Sequence, residues 1–223
     1  MKFVMKLALS AVFCAAALLI GTLTAVADPV NFIASTSGTF SAAGCAGCTA
    51  AGNTLSNGGT TITYTAGALN VTLVPPGQPG LNSSIVNLGI FTTTPGTAAG
   101  VSFANATFSM NVTFTMPSDA GPAQTFNGTL TGTITTNASS AIVTWTSPTT
   151  LTFTSPTAGV FTLAIEPFTP INNPNDNSIN IRATLTYQSA AIPEPATLVL
   201  LGTGLLGMAG AVRRKWKGGK IEP

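Results

Sequence analysis

Histidine is absent from the 223 residues, and only 6% of them are charged, whereas soluble domains run near a quarter. The first absence argues against histidine-dependent acid–base chemistry. The second argues against the basic footprint of a nucleic-acid binder and against the high charge of a disordered polyelectrolyte. Cysteine is scarce, with Cys14, Cys45 and Cys48 the only three. Helical periodicity is missing as well: no stretch of residues 28–190 sustains three turns of it. Threonine is what the chain has in excess, 37 residues, with 23 Gly and 15 Pro. Its branched Cβ favours strands over helix interiors, so the bulk of the chain is expected to be β.

The net charge of +2 is a property of the ends. Lys2, Lys6, Arg213, Arg214, Lys215, Lys217 and Lys220 carry the cations there, while residues 28–190 hold Asp28, Asp119, Glu166 and Asp176 against Arg182 alone. The body is therefore faintly acidic and nearly neutral.

Residues 1–27 have the three parts of a secretory signal: the cations Lys2 and Lys6, the apolar run Leu7 to Leu23, and Ala25-Val26-Ala27. Small residues at 25 and 27 suit signal peptidase, so cleavage is expected after Ala27, with Sec-type export of the chain from Asp28 onward. Cys14 lies inside the apolar run without the context of a lipidated cysteine.

At the other end, Ile192-Pro193-Glu194-Pro195-Ala196-Thr197 precedes the Leu/Gly-rich run 198–212 and then Arg213-Arg214-Lys215-Trp216-Lys217. As a helix, residues 196–212 would reach about 25 Å at 1.5 Å per residue, at the short limit for a hydrocarbon core of about 30 Å. The cations Arg213, Arg214 and Lys215 are expected to act as the membrane stop and to stay cytoplasmic, leaving the body outside. The prolines around Glu194 keep that segment extended and out of the helix. The order of Pro-Glu-Pro, apolar Leu/Gly stretch and arginine cluster resembles the PEP-CTERM sorting signal of exported bacterial proteins. Ile192 where Val is commoner and the extension Gly218 to Pro223 are the departures. The resemblance implies an exosortase as partner, processing near Pro193-Glu194-Pro195, and an envelope that makes exopolysaccharide. It covers some 30 residues and carries nothing about the body's activity.

Residues 28–190 read as one domain of alternating strands. The runs are Ile62-x-Tyr64, Leu69-x-Val71-x-Leu73, Phe108-x-Met110-x-Val112-x-Phe114-x-Met116, Phe126 with Leu130 and Ile134, Phe161-x-Leu163-x-Ile165, and Ile179 to Tyr187. Shorter candidates are 86–92, 142–146 and 151–154. Turn clusters stand between them at Asn57-Gly58-Gly59, Pro75-Pro76-Gly77, Pro95-Gly96, 118–122, 155–159 and Asn172 to Asn177. Eight to ten such strands predict an all-β fold, an antiparallel β-sandwich or jelly roll. No fixed repeat supports a β-helix. With an N-terminal Ser-Gly-Thr-Phe segment (Ser37 to Phe40), a central Asn-rich strand pair and a Thr-rich C-terminal strand, the body faintly resembles the choice-of-anchor β domains often found ahead of this signal, and no activity is carried over from them.

Chemistry-bearing residues are few. Cys45-Ala46-Gly47-Cys48 is a CxxC, which serves as a redox centre, half a metal site or a local disulfide. The Ala/Gly/Thr surroundings offer no helix N-terminus to acidify a thiol, and no second Cys pair or His completes a zinc site. A disulfide in an oxidising compartment is the favoured reading. The turn Asn172 to Asn177 gathers oxygens but holds the single carboxylate Asp176, short of a calcium loop. Asp119, Glu166 and Asp176 are the carboxylates from which a glycosidase pair would have to come, and neither a His base nor a Ser-x-x-Lys pair accompanies the serines. An enzyme is therefore not expected, nor any cofactor or metal. Thr pairs at 63/65, 113/115, 129/131/133/135, 144/146 and 152/154 predict hydroxyl-bearing outer faces. Trp145 and Tyr64 suit either sugar stacking or the core. Six Asn-x-Ser/Thr sequons (Asn70, Asn82, Asn105, Asn111, Asn127, Asn137) are permissive for glycosylation only. The expected function is an exported surface or matrix protein, structural or adhesive among exopolysaccharide. The alternatives are a carbohydrate-binding module and, behind it, a carbohydrate-active enzyme.

Overall fold

Alternation of apolar and hydroxyl side chains sets the architecture. In the computed structural model, which describes residues 28–94, 96, 100–171, 178–189 and 204, the chain forms fifteen strands. They are β1 (Val30–Ser41), β2 (Thr49–Ala51), β3 (Thr54–Asn57), β4 (Thr60–Ala66), β5 (Ala68–Leu73), β6 (Ser83–Thr94), β7 (Val101–Ser102), β8 (Ala106–Met116), β9 (Gln124–Thr131), β10 (Thr133–Ile134), β11 (Ile142–Thr146), β12 (Thr150–Ser155), β13 (Gly159–Ile165), β14 (Phe168–Pro170) and β15 (Ser178–Ser189). The expected signal peptide with Ala25 and Ala27, the turn Asn172 to Asn177 with Asp176, the Pro193-Glu194-Pro195 motif, the apolar run 196–212 apart from Gly204, and the Arg213-Arg214-Lys215 stop lie outside the described residues.

Two antiparallel sheets carry the fold. One has the order β14-β11-β9-β8-β1-β5, the other β12-β13-β15-β6-β4-β3-β2, and β10 pairs with β7 as a small separate ribbon. The sheets bury their inner faces against each other, which is the sandwich that the alternation predicts. No helix occurs in the described part of 28–189. The strand number exceeds the eight to ten expected because β2, β3, β7, β10 and β14 are two to four residues long, too short for periodicity to register.

The core is an aromatic seam. Phe32 of β1 meets Phe161 of β13 at 4.8 Å and Tyr187 of β15 at 5.5 Å, and Phe114 of β8 meets Phe153 of β12 at 4.7 Å. Further along, Phe108 of β8 touches Phe91 of β6 at 5.0 Å and Tyr64 of β4 at 5.1 Å. Most of these pairs meet edge-on or tilted, the geometries that ring quadrupoles favour, each worth about 0.5–1.5 kcal/mol beyond area burial. Room for two of the rings comes from Gly38 in β1, where an added Cβ would collide with Phe108 and Tyr64.

Two irregularities redirect side chains. In β8 the pairing shifts from Phe114↔Ala34 to Met116↔Ile33, so that Thr115 is an extra residue. The bulge inverts the alternation, and Met116, expected on the inner face, is 47% exposed. In β6 the step from Asn87 to Ile90 faces only Asn180 to Arg182 of β15, so Leu88 and Gly89 are both buried. The chain crosses from one sheet to the other between β4 and β5 at Gly67, where a Cβ would stand 2.5 Å from the Gly89 nitrogen. Only glycine fits that crossing.

Candidate functional site

The strand directions gather one set of loops at one end of the sandwich. Val30 opens β1 opposite Leu73, the end of β5. Ser83 opens β6 opposite Thr186, three residues before β15 ends, and Ser189 pairs with Val160 beside the β12–β13 turn. Residue 28, the 74–82 loop, the 117–123 loop, the 156–158 turn and the exit at Ser189 therefore share that end. The opposite end carries Cys45 and Cys48, the β3–β4 turn and the β10 ribbon. β15, the last described strand, thus ends four residues before Pro193 in the sequence, at the end of the sandwich where β1 begins.

Asp119 organises the exit end. Its Oδ1 accepts the Ser155 hydroxyl at 2.5 Å, its Oδ2 accepts the Thr157 backbone N–H at 3.0 Å, and the Thr157 hydroxyl lies 2.9 Å from Oδ2. Ser155 in turn accepts the Ala158 N–H at 2.8 Å. The 117–123 loop of one sheet is thereby fastened to the β12–β13 turn of the other. The Ser155 hydroxyl, followed by the side chain and backbone N–H of Thr157, holds the carboxyl below its ordinary 3.8 against a smaller opposing effect of burial. A glycosidase acid needs the opposite shift. Glu166 stands exposed beyond the far end of β13, about 20 Å away along a strand rising about 3.3 Å per residue. Asp119 and Glu166 are not brought together, and Asp176 lies outside the described residues.

The aromatic candidates are both in the core. Trp145 is buried and donates its indole N–H to Thr169 Oγ1 at 3.0 Å. Tyr64 is buried with its hydroxyl 2.5 Å from Thr36 Oγ1 and 2.8 Å from the Leu88 carbonyl. Neither ring is open to stack on a sugar, because both fill the space between the sheets.

The outer face of the six-stranded sheet is uncharged and built largely of hydroxyls and amides, with Phe168 of β14 exposed at one edge opposite Thr144. Register aligns Thr144, Thr129, Thr107 and Ser41 across four strands, then Thr146, Asn127, Ser109 and Thr39 in the next row. Ser109 donates to Asn127 Oδ1 at 2.7 Å and Thr125 to Asn111 Oδ1 at 2.5 Å, which leaves the amide N–H groups of both asparagines as outward donors. Sequence reasoning placed the threonines outward but missed these rows, because register between strands cannot be read from one strand's alternation. The asparagines of all six sequons are exposed.

Cys45 and Cys48 form a disulfide across a turn, with Cα atoms 5.4 Å apart and the Cys48 N–H donated to the Cys45 carbonyl. Among the described residues no group of three or more acidic, cysteine or histidine side chains could hold a metal ion, and no helix is long and apolar enough to cross a membrane.

Residues 191–215 match the family model of the PEP-CTERM protein-sorting motif. The match begins two residues after the last described residue of β15 and takes in the Pro-Glu-Pro, the apolar run and the arginine cluster. No curated protein and no solved structure matches the chain. The chain carries a PEP-CTERM sorting motif, and this supports export to the cell envelope or surface with sorting by exosortase.

Proposed function

We propose that the protein is an exported surface or matrix protein with a structural or adhesive role among exopolysaccharide, held briefly in the inner membrane by residues 196–212 and then processed near Pro193-Glu194-Pro195. The observation that carries the reading is the sorting motif at 191–215, directly behind the exit of a folded β-sandwich at Ser189. Signal peptidase acts first, after Ala27, on this reading. The body is a binding or space-filling element rather than an enzyme. Asp119 is occupied in fastening two loops, and its pKa shift runs against an acid's role. The neutral hydroxyl and amide rows on the six-stranded sheet suit a hydrated polysaccharide, to which they offer hydrogen bonds without a desolvated charge. Tyr64 and Trp145 are in the core, and Phe168 of β14, 56% exposed opposite Thr144, is the one aromatic ring this face presents among the described residues.

Mass spectrometry of the protein recovered outside cells of its native host tests the reading. The expected product begins at Asp28, ends near Pro195 and lacks Arg213, Arg214 and Lys215. Extracellular protein that retains the terminal Lys220-Ile221-Glu222-Pro223 would overturn it. A saturable preference for one oligosaccharide on a glycan array of residues 28–190 would replace the structural role by a binding module.

A further inference from the structure

We infer that, before processing, the exit end of the sandwich rests against the phospholipid surface through the 74–82 and 117–123 loops; this inference rests on the proposed membrane anchorage of residues 196–212. Six residues, 190–195, lie between Ser189 and Ala196, seven Cα–Cα steps that span at most about 25 Å fully extended. The body therefore cannot drift away from the bilayer, and the end that carries Ser189 is the end that faces it.

That end has the surface chemistry the position requires. Leu81 is 74% exposed in the 74–82 loop and Met116 is 47% exposed where β8 gives way to the 117–123 loop. Pro29, Pro76, Pro79 and Pro122 are exposed around them. Leu81 and Met116 are two of the four large apolar side chains exposed among the described residues, Ile85 and Phe168 being the others, and the bulge at Thr115 turns Met116 outward here. Between β8 and the β12–β13 turn, Val30, Asn31, Met116, Pro117 and Thr157 line an open hollow of roughly 350 Å³. The acidic groups at this end are Asp28 and Asp119, set against the α-ammonium that cleavage after Ala27 leaves on Asp28, and no described Lys or Arg joins them. Contact is thus through apolar side chains entering the headgroup layer, with no attraction to anionic lipid. The disulfide end, about 40 Å away along a twelve-residue strand at about 3.3 Å per residue, points outward.

The test uses the chain without residues 1–27, its C-terminal segment unaltered, reconstituted in the absence of any protease into phosphatidylcholine vesicles that carry a headgroup nitroxide. A fluorophore is attached in separate variants at Leu81→Cys, Ser118→Cys and, at the far end, Thr136→Cys. The expected result is several-fold stronger quenching at 81 and 118 than at 136, unchanged by added salt. Equal, weak quenching at all three positions in chain that sediments with the vesicles would overturn the inference and leave the anchorage standing. Chain that does not sediment with vesicles would overturn the anchorage and the inference with it.

Discussion

Thr36 and Tyr64 lie on opposite sheets, and their hydroxyl oxygens are 2.5 Å apart in the buried interior. One arrangement satisfies every group present: Tyr64 donates to Thr36 Oγ1, Thr36 donates to the Leu88 carbonyl at 2.7 Å, and the Gly67 N–H donates to Thr36 Oγ1 at 2.8 Å. The network ties the sheet crossing at Gly67 to the bulge at Leu88. Thr36→Val leaves the Gly67 N–H without its side-chain acceptor, while the Tyr64 hydroxyl can turn to the Leu88 carbonyl 2.8 Å away. The substitution should cost about 1–3 kcal/mol, since a buried group left unpaired loses its full solvation, and a Tm lower by several degrees would register it. Thr36→Ser should restore most of the loss, which a purely steric role for the threonine methyl would not predict.

Alkaline pH should destabilise the body through its two tyrosines. Burial pushes the Tyr64 hydroxyl above its ordinary 10.0, the hydrogen bonds from Thr36 and Gly67 only partly opposing it, and burial alone raises Tyr187. Each raised pKa means that the folded state keeps a proton that the unfolded chain releases. Stability is then full below pH 10 and falls as pH rises through the folded pKa values. Residues 28–190 contain no lysine and no other tyrosine, so the transition is clean. Urea midpoints should fall above pH 10 in step with phenolate absorbance, and Tyr64→Phe with Tyr187→Phe should flatten the dependence.

The sandwich class was legible because five long strands alternate apolar with hydroxyl residues, as in Phe108 to Phe114. Strand β1 was not, although it sits between β8 and β5 in the six-stranded sheet. Its inward positions run Phe32, Ala34, Thr36, Gly38, Phe40. The small and polar residues in the middle make room and hydrogen bonds for Phe108 and Tyr64, and these partners lie 26 to 70 residues away, beyond any local pattern. Met116 misled for a related reason, since the extra residue at Thr115 exists only relative to β1. At the exit end, the sorting motif is a local string and was readable in full, whereas Asp119 fastens to Ser155 and Thr157 across 36 and 38 residues.

Asp119→Asn should loosen the β12–β13 turn. The variant's Oδ1 still accepts the Ser155 hydroxyl, but an NH₂ in place of Oδ2 cannot accept the Thr157 N–H. Hydrogen exchange at Thr157 and Ala158 should accelerate while strand amides of β8 and β15 stay protected. The native carboxyl titrates below its ordinary 3.8, so its contribution is present above that pH and disappears as pH falls through the lowered value. The asparagine variant should lack that part of the acid dependence, and equal acid profiles in the two proteins would refute the fastening role.

Replacement of Pro193 and Pro195 by alanine should block release while leaving the folded body unchanged. Pro195 has no backbone N–H and, with Pro193, is expected to disfavour helix in this segment and keep it apart from the helix expected from Ala196 onward. With alanine at both positions that helix can extend backward by a turn or more, which draws the Glu194 bond into regular hydrogen bonding and away from a membrane-embedded protease. The body ends at Ser189, outside the altered residues, so its thermal unfolding should match that of the unaltered chain. In the native host the variant should sediment with the inner membrane and retain the tail through Lys215, read by intact mass. Release at the normal rate with the normal C-terminus would show that the extended Pro-Glu-Pro conformation is not what processing recognises.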